Sequence, residues 1–242
     1  MSDSFLNNRT ALVTGGTSGI GLAIAQALGA AGARVAINGL GSQEQIAHAI
    51  KLIKDFGAAE VGYYDADLRD AVAIESMFVQ IEAWSPIDIL INCAGVQHTA
   101  PLVDMPTERW DALIAINLSA AFHTLRLTLP GMAQRGYGRV INIASVHGLV
   151  ASISKAPYVA SKFGLIGLSK VAALEYAATG SRASGGVTIN CICPGWVETP
   201  LIEPQIAARA AEFGVTMMPG YVNYYVKNNR ADACPYRKKL PS

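Results

Sequence analysis

Thr10-Ala11-Leu12-Val13-Thr14-Gly15-Gly16-Thr17-Ser18-Gly19-Ile20-Gly21 decides the fold of this chain. Thr10 to Thr14 is a short apolar run that reads as a strand. The glycines that follow turn the chain tightly and let its backbone approach a ligand closely. An Ala-rich helix, Gly19 to Ala31, starts directly afterwards. Its N-terminal amides would face an anion such as a pyrophosphate. The spacing is G-x-x-x-G-x-G over Gly15, Gly19 and Gly21. A Gly-rich turn alone is often mere punctuation, but between a first strand and a first helix it is a strong nucleotide signal.

Beyond this turn, strand and helix patterns alternate. Arg34–Asn38 reads as a strand, Ser42–Phe56 as a helix, Glu60–Tyr64 as a strand and Asp70–Trp84 as a helix. Ile87–Asn92 is a strongly apolar strand. Two helices, Thr107–Asn117 and Ala120–Arg135, precede a strand over Arg139–Ala144. A long helix, Pro157–Thr179, begins with a proline suited to a first turn. Val187–Ile192 is the sixth strand. Short β-branched strands alternating with helices predict an α/β fold: one Rossmann-like, doubly wound parallel sheet covered on both faces. The expected domain spans residues 1–212, with an atypical tail over 213–242.

Composition narrows the function. The 242 residues are 51% hydrophobic and 15% charged, as in a compact globule. The net charge of +1 favours neither nucleic acid nor an acidic membrane as partner. No apolar run is expected to span a membrane, and the polar start, Met1 to Asn8, lacks a signal-peptide core. Cys93, Cys191, Cys193 and Cys234 read as buried thiols in a reducing, cytoplasmic setting. Cys191 and Cys193 lack zinc-knuckle spacing, and no residue cluster suggests a metal.

Tyr158-Val159-Ala160-Ser161-Lys162 supplies the chemistry, with Ser145 thirteen residues earlier. A Tyr and a Lys four apart share a helix face. The pair alone is usually a solvated face. Behind a nucleotide turn it becomes an acid/base device. An ammonium group lowers a phenol's pKa, and a hydroxyl from another element holds a substrate oxygen beside it.

With Asp67, Asn92-Cys93-Ala94-Gly95, Asn117 and Pro194-Gly195 added, the chain is identified as a member of the short-chain dehydrogenase/reductase family over residues 9 to about 212. The resemblance implies a catalytic tetrad of Asn117, Ser145, Tyr158 and Lys162. It implies cofactor contacts from Gly15, Thr17, Ser18, Gly19, Ile20, Gly21, Leu40, Asp67, Leu68, Asn92, Ala94, Gly95, Tyr158, Lys162, Pro194, Gly195, Trp196, Val197 and Thr199. It also implies that Asn117 holds a water linking Lys162 to solvent, and that the assembly is a homotetramer. Asp67 is expected to double as a helix cap. The second strand ends Ile37-Asn38-Gly39-Leu40, with neither an acid for a ribose hydroxyl nor an Arg for a 2′-phosphate. Arg34 lies too far from that end, so NAD is the expected cofactor.

Gly95-Val96-Gln97-His98, Ala144 to Val150 and Cys193 to Pro200 are similar to members of the family that act on D-3-hydroxybutyrate. That similarity gathers Gln97, His147, Lys155, Trp196 and Gln205, with Ser145 and Tyr158, around a small hydroxy acid. A Lys beside directed Gln and His hydrogen bonds suits such a carboxylate. Two alternatives are an NADPH-dependent reductase of 3-oxoacyl thioesters and a catalytically impaired nucleotide-binding protein. The second arises because the family pattern stops near Phe213. Read one base earlier, the codons for Gly220 onward permit Leu-Arg-Glu-Leu-Leu-Arg and then Glu-Lys-Gln-Pro-Ser, which resembles the subgroup's lid. The tail is therefore expected to be out of frame. The last strand and C-terminal segment would be missing, stability and turnover low, and the tetramer in doubt. The nucleotide sequence of the gene decides that point.

Overall fold

The computed structural model describes residues 4–195, 197 and 199. By its contacts the chain divides into Met1–Pro194 and Gly195–Ser242, and the fold described is that of the first unit. The boundary expected near 212, the expected loss of a last strand and the expected out-of-frame tail all lie outside the described residues.

Six strands, β1 (Thr10–Thr14), β2 (Arg34–Asn38), β3 (Val61–Tyr63), β4 (Ile89–Asn92), β5 (Tyr137–Ile143) and β6 (Gly186–Ile192), form one sheet. Its order is β3-β2-β1-β4-β5-β6, and every pairing is parallel. The order reverses between β1 and β4, and open α/β sheets bind ligands at the carboxyl ends of such strands. Every residue of β1 and β4 is buried, which is why these segments read as continuous apolar runs.

Alternating residues feed two cores. Leu12, Leu90 and Val140 pack with Met77, Ile81, Leu129 and Met132 from α3 (Ala71–Trp84) and α5 (Ala120–Arg135). Val13, Ile37 and Ile91 point the other way, toward Ala25 and Ile53 of α1 (Gly19–Ala30) and α2 (Gln43–Asp55). Each fully buried Leu or Ile contributes about 1.5–3 kcal/mol.

Local chemistry sets the helix ends. Ser42 and Gln45 form a capping box before α2. Asp70 caps α3 by accepting from the Val72 N–H at 2.8 Å. The expected cap, Asp67, instead accepts from Arg69, because the chain is still in its loop there. The last long helix, α6, spans Ala156–Glu175 and stops short of the expected Thr179.

A larger correction concerns the expected pair of helices. α4 (Thr107–Ile114) runs through a π turn, Ala115–Ser119, straight into α5. The resulting helix, Thr107–Arg135, is long and apolar enough to cross a membrane by length and composition, against expectation. Its Ala121, Thr124, Leu125, Leu129 and Met132 are buried against the protein interior, as in a core helix.

A chain of polar groups crosses this interior. Thr124 Oγ1 donates to Asn92 Oδ1 at 2.8 Å, Asn92 Nδ2 to Asn142 Oδ1 at 2.8 Å, and Asn142 Nδ2 to Ser169 Oγ at 2.7 Å. Cys191 Sγ closes the chain on Ser169 Oγ at 3.0 Å. Asn92 and Asn142 are register partners across β4 and β5, so the chain joins both strands to α5 and α6. An unmade buried hydrogen bond is costly. Thr124→Val keeps the shape and leaves Asn92 Oδ1 unpaired. It is expected to lower unfolding free energy by about 1–3 kcal/mol, measured by urea denaturation.

Candidate active site

The first turn presents a cradle that fits a dinucleotide phosphate. Gly15 has φ +67°, and a Cβ there would lie 2.8 Å from Ala94 Cα. A Cβ on Gly21 would lie 2.1 Å from the Gly15 carbonyl oxygen. Only glycine permits this packing. Ser18 is the N-cap of α1, yet its side chain makes no capping bond, and no acid sits in the first turn. The helix end thus keeps its positive character for an anion.

Thr14, the last residue of β1, ties the two central strands together. Its hydroxyl accepts from the Cys93 and Ala94 N–H groups at 3.1 and 3.2 Å. The loop carrying Ala94 and Gly95 is thereby set against the glycine turn. At the next strand end, Thr17 Oγ1 donates to the Leu40 carbonyl at 2.9 Å. Leu68 is buried, while Asp67 is exposed and its carboxylate is gripped by Arg69. Asn92's side chain is committed to the interior chain described above.

The catalytic candidates converge from three elements. Lys162, on α6, is only 4% exposed and donates from Nζ to the Ile143 carbonyl at 2.8 Å, at the end of β5. A Cβ on Gly95 would lie 3.8 Å from Lys162 Nζ and 3.5 Å from Asn117 Oδ1, so these three residues meet. Asn117 sits in the π turn, a device frequent at functional sites. Its Oδ1 accepts from Val96 N–H at 2.8 Å and its Nδ2 donates to the Val96 carbonyl at 2.9 Å. That side chain therefore clamps the loop after β4 to the π turn.

Ser145 accepts from the His147 N–H at 3.1 Å and hydrogen-bonds the Tyr158 hydroxyl. The His147 and Tyr158 rings meet edge to face with centroids 6.2 Å apart. Lys155, immediately before α6, is close enough to depress the His147 pKa. Pro194 accepts from the Val146 N–H at 2.9 Å. Gln97 follows the Val96 that Asn117 grips. Gly195, Val197 and Thr199 belong to the second unit, and Trp196 and Gln205 lie outside the described residues.

The electrostatics depart from expectation at Tyr158. Burial pushes its phenol up, and the Ser145 hydrogen bond opposes this in part. Lys162 Nζ lies 5.7 Å from the ring centroid and does not bring the phenol down here. Burial also pulls Lys162 down to about 8, with the nearby Cys93, Cys191 and Cys193 opposing. Cys93 itself is pushed up to about 11. Burial lowers Lys155 and, together with Lys155's charge, His147. Desolvation thus outweighs charge attraction at Lys162 and Cys93 and is the largest cause at Tyr158, Lys155 and His147.

A phenol, a hydroxyl and a buried amine beside a nucleotide cradle can move a proton at an alcohol, which is oxidoreductase chemistry. Residues 9–210 match the family described as short chain dehydrogenase. The D-beta-hydroxybutyrate dehydrogenase of Cupriavidus necator is 52% identical over 211 residues, covering 87% of this chain and 79% of that protein. That of Rhizobium meliloti is 46% identical over 209 residues, covering 86% and 79%. A solved 3-oxoacyl (acyl-carrier-protein) reductase from Agrobacterium tumefaciens C58, with NADP bound, superposes with a TM-score of 0.75 at 31% identity, covering 87% of this chain and 77% of that one. The chain belongs to the short chain dehydrogenase family, whose Rossmann-like fold binds a nicotinamide cofactor.

Lys162 also makes stability depend on pH. Its folded pKa lies below the ordinary value of 10.5, so the unfolded chain holds more protons between about 8 and 10.5. Stability from this group therefore grows as pH rises through that window and is lost as pH falls toward 8. The wild type should gain melting temperature relative to Lys162→Met between pH 8 and 10, read by calorimetry. A constant difference would contradict the assignment.

Proposed function

We propose that this chain interconverts D-3-hydroxybutyrate and acetoacetate using NAD. The observation that carries the reading is the cationic, hydrogen-bonding corner of His147 and Lys155 set against Tyr158. A small hydroxy acid has little apolar surface to orient it. Its carboxylate must do so, and a half-buried Lys supplies the opposite charge. The relatives from Cupriavidus and Rhizobium carry the same activity in their names.

In this reading, Ser145 donates to the substrate oxygen and holds it beside Tyr158. Tyr158 Oη takes the hydroxyl proton, and returns it in the reverse direction. Gly15, Gly19 and Gly21 would hold the pyrophosphate of a nicotinamide dinucleotide, which would supply the hydride acceptor. Lys162, anchored on the Ile143 carbonyl, places a proton-exchanging group behind the phenol. Asn117 clamps Val96 and so fixes the loop that leads to Gln97. Lys155 and His147 bind the carboxylate with Gln97, and the family resemblance implies Trp196 and Gln205 as further substrate contacts.

The cofactor preference follows from the absence of any cation at Gly16, Thr17 and Asn38 to Leu40. A reductase of 3-oxoacyl thioesters using NADPH is the competing reading, favoured by the NADP-bound structural relative. Turnover of D-3-hydroxybutyrate with NAD, assayed beside NADP and an acetoacetyl thioester, separates the two. A preference for NADPH and the thioester overturns the proposal.

Two variants report on the roles. Tyr158→Phe should lower kcat by about 10²–10⁴-fold with the fold intact by circular dichroism. Lys155→Met should raise KM for the hydroxy acid more than it lowers kcat, since a binding charge is removed. Lys155's depressed pKa adds a pH signature. The wild-type KM should climb as pH rises through that pKa and the charge is lost. In Lys155→Met that climb should disappear.

A further inference from the structure

The end of β2 is where an adenosine ribose would be read, and the sequence places no acid there. Asn38, the last residue of β2, turns inward. It is 1% exposed, and Nδ2 donates to the Tyr64 and Ala66 carbonyls at 3.1 and 3.2 Å. Those bonds fasten the loop after β3 alongside the end of β2. Tyr63, the last residue of β3, directs its hydroxyl at the Gly39 carbonyl at 3.0 Å and at Asp65 Oδ1 at 3.3 Å. The exposed Asp65 carboxylate is thereby held one hydroxyl away from Gly39. On the other side, a Cβ on Gly39 would lie 2.4 Å from Thr17 Oγ1, so the glycine turn and the end of β2 touch. Gly39 and Leu40 are bracketed by Thr17 on one flank and by Tyr63 with Asp65 on the other. Arg69, the cation of the same loop, is engaged by Asp67.

We infer that Asp65 is the group by which this chain discriminates against a 2′-phosphate, a carboxylate carried in from β3 in place of one at the end of β2. A phosphate dianion and a carboxylate repel without touching, and salt screens the repulsion. The sequence conceals this device, because Asp65 lies 26 residues after Gly39 and contacts made by Asn38 and Tyr63 bring them together. The inference rests on the reading of the cofactor as NAD.

Calorimetric titration with adenosine 5′-monophosphate and adenosine 2′,5′-bisphosphate tests it without turnover. The wild type should bind the monophosphate more tightly. Asp65→Asn should tighten the bisphosphate by about 3–10-fold and leave the monophosphate within about 2-fold. That gain should shrink in 0.5 M salt, about the strength at which the screening length falls below 5 Å. Tyr63→Phe, which cuts the tether, should shift the bisphosphate the same way by a smaller factor. An unchanged bisphosphate-to-monophosphate ratio in Asp65→Asn, with the wild type still favouring the monophosphate, overturns the Asp65 inference alone. A wild type that favours the bisphosphate overturns the NAD reading, and this inference with it.

Discussion

The site depends on one buried ammonium. Lys162 is removed from water and donates to a single identified carbonyl, that of Ile143. Burying a charge is expensive unless it is paired or gives up its proton, and here the pKa falls to about 8. A group of that kind exchanges protons near neutral pH, unlike a surface lysine. The Ile143 carbonyl ends β5, Gly95 follows β4, Asn117 occupies the π turn and Tyr158 lies one turn earlier on α6. Each must keep its place for the amine to stay buried beside the Tyr158 ring.

The polar chain through the core holds that geometry. Asn92 and Asn142 lie opposite each other on β4 and β5, and Thr124 and Ser169 receive them on the two flanking helices. Packing between apolar faces is non-directional and tolerates sliding. Hydrogen bonds between buried amides do not, because a shift leaves donors or acceptors unmet. The same strands carry Thr14's neighbours, Cys93 and Ala94, to the glycine turn. A specific interior thus fixes both the cofactor cradle and the amine that faces it.

Much of this was legible. Gly15 to Gly21 between a strand and a helix gave the sheet type, and Tyr158 with Lys162 gave the chemistry. What escaped reading depended on depth or on contacts distant in sequence. Spacing puts Tyr158 and Lys162 on one face but says nothing of how dry that face is, so the phenol was expected to fall and instead rises. Asp67 and Asp70 are equally good caps by type, and only backbone conformation selects Asp70. The π turn that turns Asn117 to Val96 leaves no composition signal, since Ala115 to Ser119 suits an ordinary helix break. Thr14 and Tyr63 act through partners far along the chain. Trp196 and Gln205 stand outside the described residues, so their part in the pocket rests on resemblance.

Inside the fold, Lys162 loses its proton near pH 8 rather than near 10.5. Nuclear magnetic resonance titration of lysine side chains, with Lys162→Met used to assign the signal, measures this directly. One lysine midpoint is expected near 8, and it should vanish in the variant. A Lys162 midpoint at or above the ordinary value near 10.5 would contradict it.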